Sequence, residues 1–385
     1  MNRTFLSVGV AVGGLAAGAL AATVPVAAAS EAPTTAGTHT VRACSAHPAP
    51  GFASCLAIGL VDANGKATTD PEVGFNAQDV QKAYNLKGLK SHGRTVAIVD
   101  AFAYPTLEAD LAKFRSNNNL PACTTKNGCL TVIGQDGGKP PKEVNEGWDV
   151  EQALDLDMVS AACPDCKILM VESDTNSFKN LGAAVNQAAK SKGVVAVSNS
   201  YGGGDGKNRS DYDHKNVAIV ASTGDSGFQG GSAPSSFTNV IAVGGTSVFP
   251  QGGGYRESAW SGAGSGCSTQ NKAPSYQKKT SCGSKDAAAD VSGAADPNNG
   301  GLIIIYDGQT AQYGGTSESS PLIAAVFGLS GNVKGYPGAI LWKNSKKLND
   351  VTSGSNGSCG SPLCSAGKGW DGPTGLGTPN GTGAF

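Results

Sequence analysis

The sequence predicts an α/β fold, a doubly wound, mostly parallel sheet with helices on both faces. Three observations carry that prediction. Short apolar runs rich in β-branched residues recur, as strands buried on both faces require. Longer stretches with helical spacing lie between them. The two kinds alternate, which is the pattern of βαβ units on a parallel sheet.

Each element can be justified in turn. "NAQDVQKAYNL", from Asn76, has helical spacing, and "RTVAIVDAF" (94–102) reads as a buried strand. "LEADLAKFRSNNNL" is helical. "DVEQALDLDMVSAA" (149–162) is a helix ended by Cys163-Pro164. "KILMVES" (167–173) is a strand, and "SFKNLGAAVNQAAKSKG" (177–193) a helix with Gly193 just past its end. Strands follow at 194–200, 217–222 and 240–245, then a glycine-rich middle, then the opening of a helix at 316–331. Residues 30–74 read as irregular. No internal repeat or low-complexity linker divides the chain. Ligand sites in such sheets lie at the carboxyl ends of strands. Asp100 and Gly224-Asp225 directly follow strands.

The chain has 385 residues, enough for one large domain or two ordinary ones, and one domain is the simpler reading. A net charge of -1 with 15% charged residues gives no reason to expect nucleic acid or an acidic polymer as partner. Arg3 precedes an apolar run, and Ala27-Ala28-Ala29 followed by Ser30-Glu31 resembles a cleavage site. Residues 1–29 thus read as a signal peptide rather than an anchor, with no membrane contact expected after cleavage. Ten cysteines suit an exported chain, and they fall as close neighbours. Nearest-neighbour disulfides are expected: Cys44 with Cys55, Cys123 with Cys129, Cys163 with Cys166, Cys267 with Cys282, and Cys359 with Cys364. Cys163-Pro-Asp-Cys166 could instead be a redox or zinc pair, but no second such pair or nearby His supports metal.

Three stretches carry chemistry. In "GGTSESSPLIAAVFG" (314–328), Ser317 opens a helix after glycines, where unpaired N–H groups and the helix dipole favour an oxyanion. Read alone, it could equally be an N-cap. A serine nucleophile needs a base. The four histidines, His39, His47, His92 and His214, lie in irregular or polar segments, none at a helix opening behind a strand. Glu151 and Asp155, four apart, share one face of a helix. Their charges repel, so one tends to hold a proton and the two titrate as a unit. A solvated acidic face is the alternative. Gly224-Asp225-Ser226-Gly227 repeats the letters around the nucleophile of trypsin-like peptidases, which leaves open whether Ser226 or Asp225 matters.

The order and spacing of these three pieces resemble the sedolisin family of serine-carboxyl peptidases. The matching residues are Glu151-x-x-Leu154-Asp155 with Pro164 and the next strand, Gly224-Asp225-Ser226-Gly227, and Gly314-Gly315-Thr316-Ser317 with Pro321. The resemblance runs from about residue 75 to the C-terminus and implies a subtilisin-like fold. It implies a short presegment at 30–74 and a peptidase domain at 75–385. It makes Ser317 the nucleophile, Glu151 the general base and acid, Asp155 its partner and Asp225 the oxyanion-hole acid, leaving Ser226 without a role. It also implies one structural Ca2+ held by the carboxylates of Asp350 and Asp371 and the carbonyls of Val351, Gly367 and Gly369. All are oxygen donors, as a hard cation requires.

The expected protein is therefore a secreted, extracellular, monomeric endopeptidase acting on proteins or peptides at acid pH. Two departures stand out. Asp100 occupies the position of an acidic residue that extends the carboxylate network in some members, but Tyr201 stands where a Trp would be. The presegment, about 45 residues, is also shorter than the family's. A secreted binding protein on an inactive scaffold is the alternative, and a Ser-His-Asp esterase a third.

Overall fold

The computed structural model describes residues 37–385. The expected signal peptide at 1–29 and the first residues of the presegment lie outside the described residues. The described residues form one compact unit.

In chain order, β1 (His39–Arg42), β2 (Ser54–Cys55) and β3 (Ile58–Val61) precede α1 (Ala77–Ala83). Next come β4 (Thr95–Ala101), α2 (Leu107–Asn117), β5 (Leu130–Gly134), α3 (Glu146–Ala162), β6 (Lys167–Ser173) and α4 (Phe178–Lys190). Then follow β7 (Val194–Asn199), β8 (Tyr201–Gly204), β9 (Ala218–Ser222), β10 (Ser232–Ala233), β11 (Ile241–Gln251) and β12 (Gly254–Ala259). The remainder is β13 (Gly266–Lys272), β14 (Lys285–Ala288), β15 (Val291–Ala294), β16 (Leu302–Tyr306), β17 (Gln309–Gly314), α5 (Thr316–Ser330) and α6 (Pro337–Lys343).

The main sheet runs β5-β6-β4-β7-β9-β11-β12, with β15 also on β11. Only β12 is antiparallel. Its inner strands β4, β6, β7 and β9 are buried on both faces because their side chains alternate between two cores. Ile98, Met170, Ala196 and Val220 face a layer with α3 and α5. Ala97, Val99, Leu169 and Val197 face α4. The doubly wound expectation holds, and every strand and helix expected from 76 to 331 is found within a few residues of its place. The expected strand at 240–245 extends well past its reading, to Gln251.

The presegment is not irregular. β1 pairs with β3, β3 with β17, and β17 with β16 in a separate antiparallel sheet. β2 pairs with β8, which carries β10 on its other side. All five nearest-neighbour disulfides form, Cys163–Cys166 included. Among the described residues no cysteine is free, and no helix is long and apolar enough to cross a membrane.

Candidate active site

α5 points its first turn at the carboxyl ends of β7 and β9. Gly315 precedes it with φ +98°, a conformation only glycine adopts freely. Pro321 lies in the second turn, where it cannot donate to the Ser317 carbonyl. Ser200 Oγ reaches that carbonyl instead, at 3.4 Å, and Ser222 Oγ donates to the Thr316 carbonyl at 2.8 Å. Side chains from the two strand ends thus replace helix bonds and fix the turn that carries Ser317. The Ser317 hydroxyl is buried and donates to the Ser200 carbonyl at 3.4 Å.

α3 brings Glu151 and Asp155 to the same place. Asn145 caps its start, accepting from the Trp148 N–H at 3.3 Å. From Trp148 onward the helix is buried on every side, so its acidic face is not solvated. Glu151 Oε2 accepts the N–H groups of Leu56 and Ala57, both at 2.7 Å, while Oε1 has no partner. Burial, then the Asp100 charge, pushes the Glu151 pKa well above the carboxylate range, and the nearby Ser317 hydroxyl with the Leu56 and Ala57 N–H groups draws it part of the way back. Asp155 accepts from Ser200 Oγ at 2.7 and 2.9 Å on its two oxygens, and burial with the Asp100 and Glu151 charges raises it too.

Asp100 lies at the end of β4, opposite Glu172 of β6. Neither of its side-chain oxygens has a hydrogen-bond partner, and burial and Glu172 hold its pKa high. Asp100, Glu151 and Asp155 therefore form one buried acidic cluster whose titrations are coupled through their charges. Tyr201 does not extend it by hydrogen bonding. Its hydroxyl goes to Asn199 Oδ1 at 2.8 Å and Tyr212 at 3.0 Å, and its ring lies 6.0 Å from that of Trp148.

Asp225 follows β9 and faces the opening of α5. Its Oδ1 accepts from the Thr316 N–H at 2.7 Å and the Thr316 hydroxyl at 2.8 Å. Its buried Oδ2 has no partner. Burial lifts its pKa to about 6, so the unpartnered oxygen carries a proton through the acid range. Ser226 points elsewhere. It is exposed, and the Arg42 guanidinium donates to its Oγ at 3.0 Å and to the Asp225 carbonyl. No histidine hydrogen-bonds Ser317 among the described residues, and His214 pairs with the Asp211 carbonyl at 3.0 Å.

A cavity of about 520 Å3 opens beside this cluster, lined by Arg42, His47, Leu56, Gly203, Asp225 and Thr269. Arg42, Leu56, Ala57, Ser200 and Glu172 escaped the sequence reading, as did the bonds from Thr316 to Asp225. The apolar run "CLAIGLV" (55–61) was the signal for the second and third, because it is strand-like.

The C-terminal loop brings Asp350 and Asp371 near one another, and the Asp350 charge adds to burial in raising Asp371 to about 6. Gly367 N–H donates to Asp371 and Gly369 N–H to Asp350, each at 3.0 Å. No cationic side chain pairs with either carboxylate among the described residues, where Arg209–Asp211 is the only salt bridge. Among the described residues no group of three or more His, Cys, Asp or Glu is placed to hold a metal ion. A cation would rest on these two carboxylates and on carbonyls of Val351, Gly367 and Gly369, and the paired, uncompensated acids fit that use.

Comparison with known proteins finds peptidases. The model of the Subtilase family (Peptidase_S8) matches residues 132–354. Kumamolisin of Bacillus sp. (strain MN-32) is 29% identical over 80% of this chain and 62% of its own length. Sedolisin of Pseudomonas sp. (strain 101) is 26% identical over 79% of this chain and 60% of its own. The chain thus spans between 60% and 62% of the length of these curated relatives. A solved structure of Pseudomonas sedolisin, a serine-carboxyl proteinase complexed with two molecules of pseudo-iodotyrostatin, shares the fold. Its TM-score is 0.68 at 24% identity, covering 81% of this chain and 96% of that one.

Proposed function

Since the chain belongs to the sedolisin family, within the subtilases, we propose that it is a secreted, acid-acting serine-carboxyl endopeptidase working through an acyl-enzyme on Ser317. The observation that carries the reading is the meeting of Ser317, Glu151 and Asp225 around one buried point with no histidine base.

The geometry supports these roles. Ser317 Oγ attacks a substrate carbonyl while Glu151 takes its proton. The oxygen of the tetrahedral intermediate meets the proton of Asp225 Oδ2, a donor held in place by the two bonds from Thr316. Glu151 returns the proton to the leaving amine, then activates water to free the acyl group. Asp155 and Asp100 position and polarise Glu151. Their shared burial keeps protons in the cluster, so a single net charge can move without a histidine.

Both demands favour acid. Asp225 must keep its proton, and Glu151 must lose one often enough to act as a base. Five disulfides support an oxidising, extracellular setting. A Ca2+ held by Asp350 and Asp371 would brace the C-terminal loop, with no part in the chemistry.

The test is hydrolysis of casein from about pH 3 to 8 beside Ser317→Ala and Glu151→Gln. An acid optimum with internal cuts, abolished by Ser317→Ala and lowered about 10²–10⁴-fold by Glu151→Gln, supports the reading. No turnover at any pH by a folded, calcium-supplied chain would favour the inactive scaffold.

A further inference from the structure

Asp205 is a carboxylate that the mechanism does not use, and it lines the cavity of about 520 Å3 that Asp225 also lines. It directly follows β8, which begins one residue after Ser200, whose carbonyl accepts the Ser317 hydroxyl. One open space therefore reaches from the oxyanion acid to Asp205.

Three segments fix this carboxylate. Thr269 of β13 gives its N–H to Oδ2 at 2.6 Å and its hydroxyl at 2.8 Å. Oδ1 accepts the Ser268 hydroxyl of the same strand at 3.0 Å and the Ser236 hydroxyl, just past β10, at 2.8 Å. All of these donors are neutral, so they hold the group in place without cancelling its charge. No cationic side chain pairs with it among the described residues. Lys285 gives its Nζ to the Thr269 carbonyl at 2.6 Å and forms no ion pair with Asp205. A Cβ at Gly231 would stand 3.0 Å from Asp205 Oδ1, so glycine there keeps a side chain off the carboxylate.

The charge persists in acid. Burial pulls the Asp205 pKa up, but the bonds from Thr269, Ser236 and Ser268 outweigh it and hold it below the ordinary carboxylate value. Of the two carboxylates on the cavity, Asp225 keeps its proton through the acid range, and Asp205 is the one that ionises first. Arg42 and His47 also line the space, on the side that the presegment contributes, and Arg42 is bonded to the Asp225 carbonyl and Ser226.

We propose that Asp205 is a specificity-determining residue that selects a lysine or arginine side chain of the substrate close to the scissile bond. This rests on the peptidase reading above. The cavity has the volume of a ligand pocket and accepts a long side chain. A substrate cation reaches the fixed carboxylate past Gly231 and supplies the countercharge that the chain itself does not. A glutamate in the same place is repelled, and an apolar side chain leaves the charge unpaired.

Casein is digested by the purified chain at about pH 4, and the cut sites are mapped by mass spectrometry. kcat/KM is then measured on two peptides that differ only in lysine against norleucine at the enriched position. The expected result is Lys and Arg enriched at one position near the cut, with a lysine-to-norleucine ratio of about 10–100. That ratio should shrink between about 0.05 and 0.5 M NaCl, because salt screens a charge pair. In Asp205→Asn, its fold checked by circular dichroism, it should fall to about one, since the charge is gone. Casein cuts without a basic preference would overturn the inference and leave the peptidase reading standing. So would a ratio unchanged in Asp205→Asn, including an equal loss on both peptides, which would make Asp205 only a tie between β8 and β13. Should Asp205→Asn not fold, a wild-type ratio indifferent to salt overturns the inference by itself. If the wild type cuts neither casein nor peptide, both readings fall.

Discussion

Replacing Asp225 separates its two jobs. In Asp225→Asn the amide oxygen can still accept both bonds from Thr316, at 2.7 and 2.8 Å in the parent. The amide nitrogen takes the place of Oδ2 and offers a donor that does not titrate. In Asp225→Ala the donor is gone and the Thr316 N–H is stranded. Losing one oxyanion donor costs about 10²–10³ in kcat, or roughly 3–4 kcal/mol. The stranded amide costs a further 1–3 kcal/mol or so of stability. The wild-type kcat/KM should fall as pH rises through about 6, where Asp225 loses its proton. kcat/KM is the quantity to follow across pH, because it reports the titration of the free enzyme. Measured on a chromogenic peptide, Asp225→Asn should keep kcat within about tenfold and lose that alkaline limb, while Asp225→Ala should fall about 10²–10³-fold. The reasoning fails if the Asn profile overlays the wild-type one, or if Asp225→Ala loses less than about fivefold.

Three further outcomes follow from the same contacts. Asp225 titrates at about 6 folded against 3.8 unperturbed, so the folded state binds that proton more tightly. Its contribution is complete below about pH 4 and lost as pH rises through 6, on the order of 3 kcal/mol. Glu151, Asp155 and Asp100 shift in the same direction. Calorimetry of Ser317→Ala should therefore show a higher Tm at pH 4 than at pH 7, and a flat or inverted dependence would contradict the burial account. Gly315→Ala should lower stability by about 1–3 kcal/mol in denaturant titration, because its φ is +98° and its Cβ would overlap the Leu56 oxygen. A wild-type midpoint would refute that packing. EGTA should lower the Tm of the wild type and leave that of Asp371→Asn unmoved; equal responses would remove the calcium from Asp371.

What was legible in the sequence depended on how local the signal was. β4, β6, β7 and β9 were read within a residue or two because each is an unbroken apolar run between turn residues. β5, "LTVIG", and the hairpin "LIIIYDGQTAQYG" were passed over although the second carries an Asp-Gly turn. β2 and β3 were lost because their partners, β8 and β17, lie far away in the chain, and β1, four residues long, pairs only with β3. Glu151, Asp155, Asp225 and Ser317 were named from spacing and resemblance, and they do converge. Their supports were not visible. Ser200, Thr316 and Arg42 act through contacts 45 to 183 residues away, and no periodicity announces them. Tyr201 was noticed as a departure, but only packing showed its hydroxyl going to Asn199 and Tyr212.

The most direct test of the central claim is to find the acyl group. The chain is reacted at acid pH with an activated peptide ester, quenched in acid and mapped by mass spectrometry. The account predicts an acyl ester on Ser317, absent in Glu151→Gln. Peptide turnover with the acyl group on Ser226, or with no acyl-enzyme on Ser317, would contradict it.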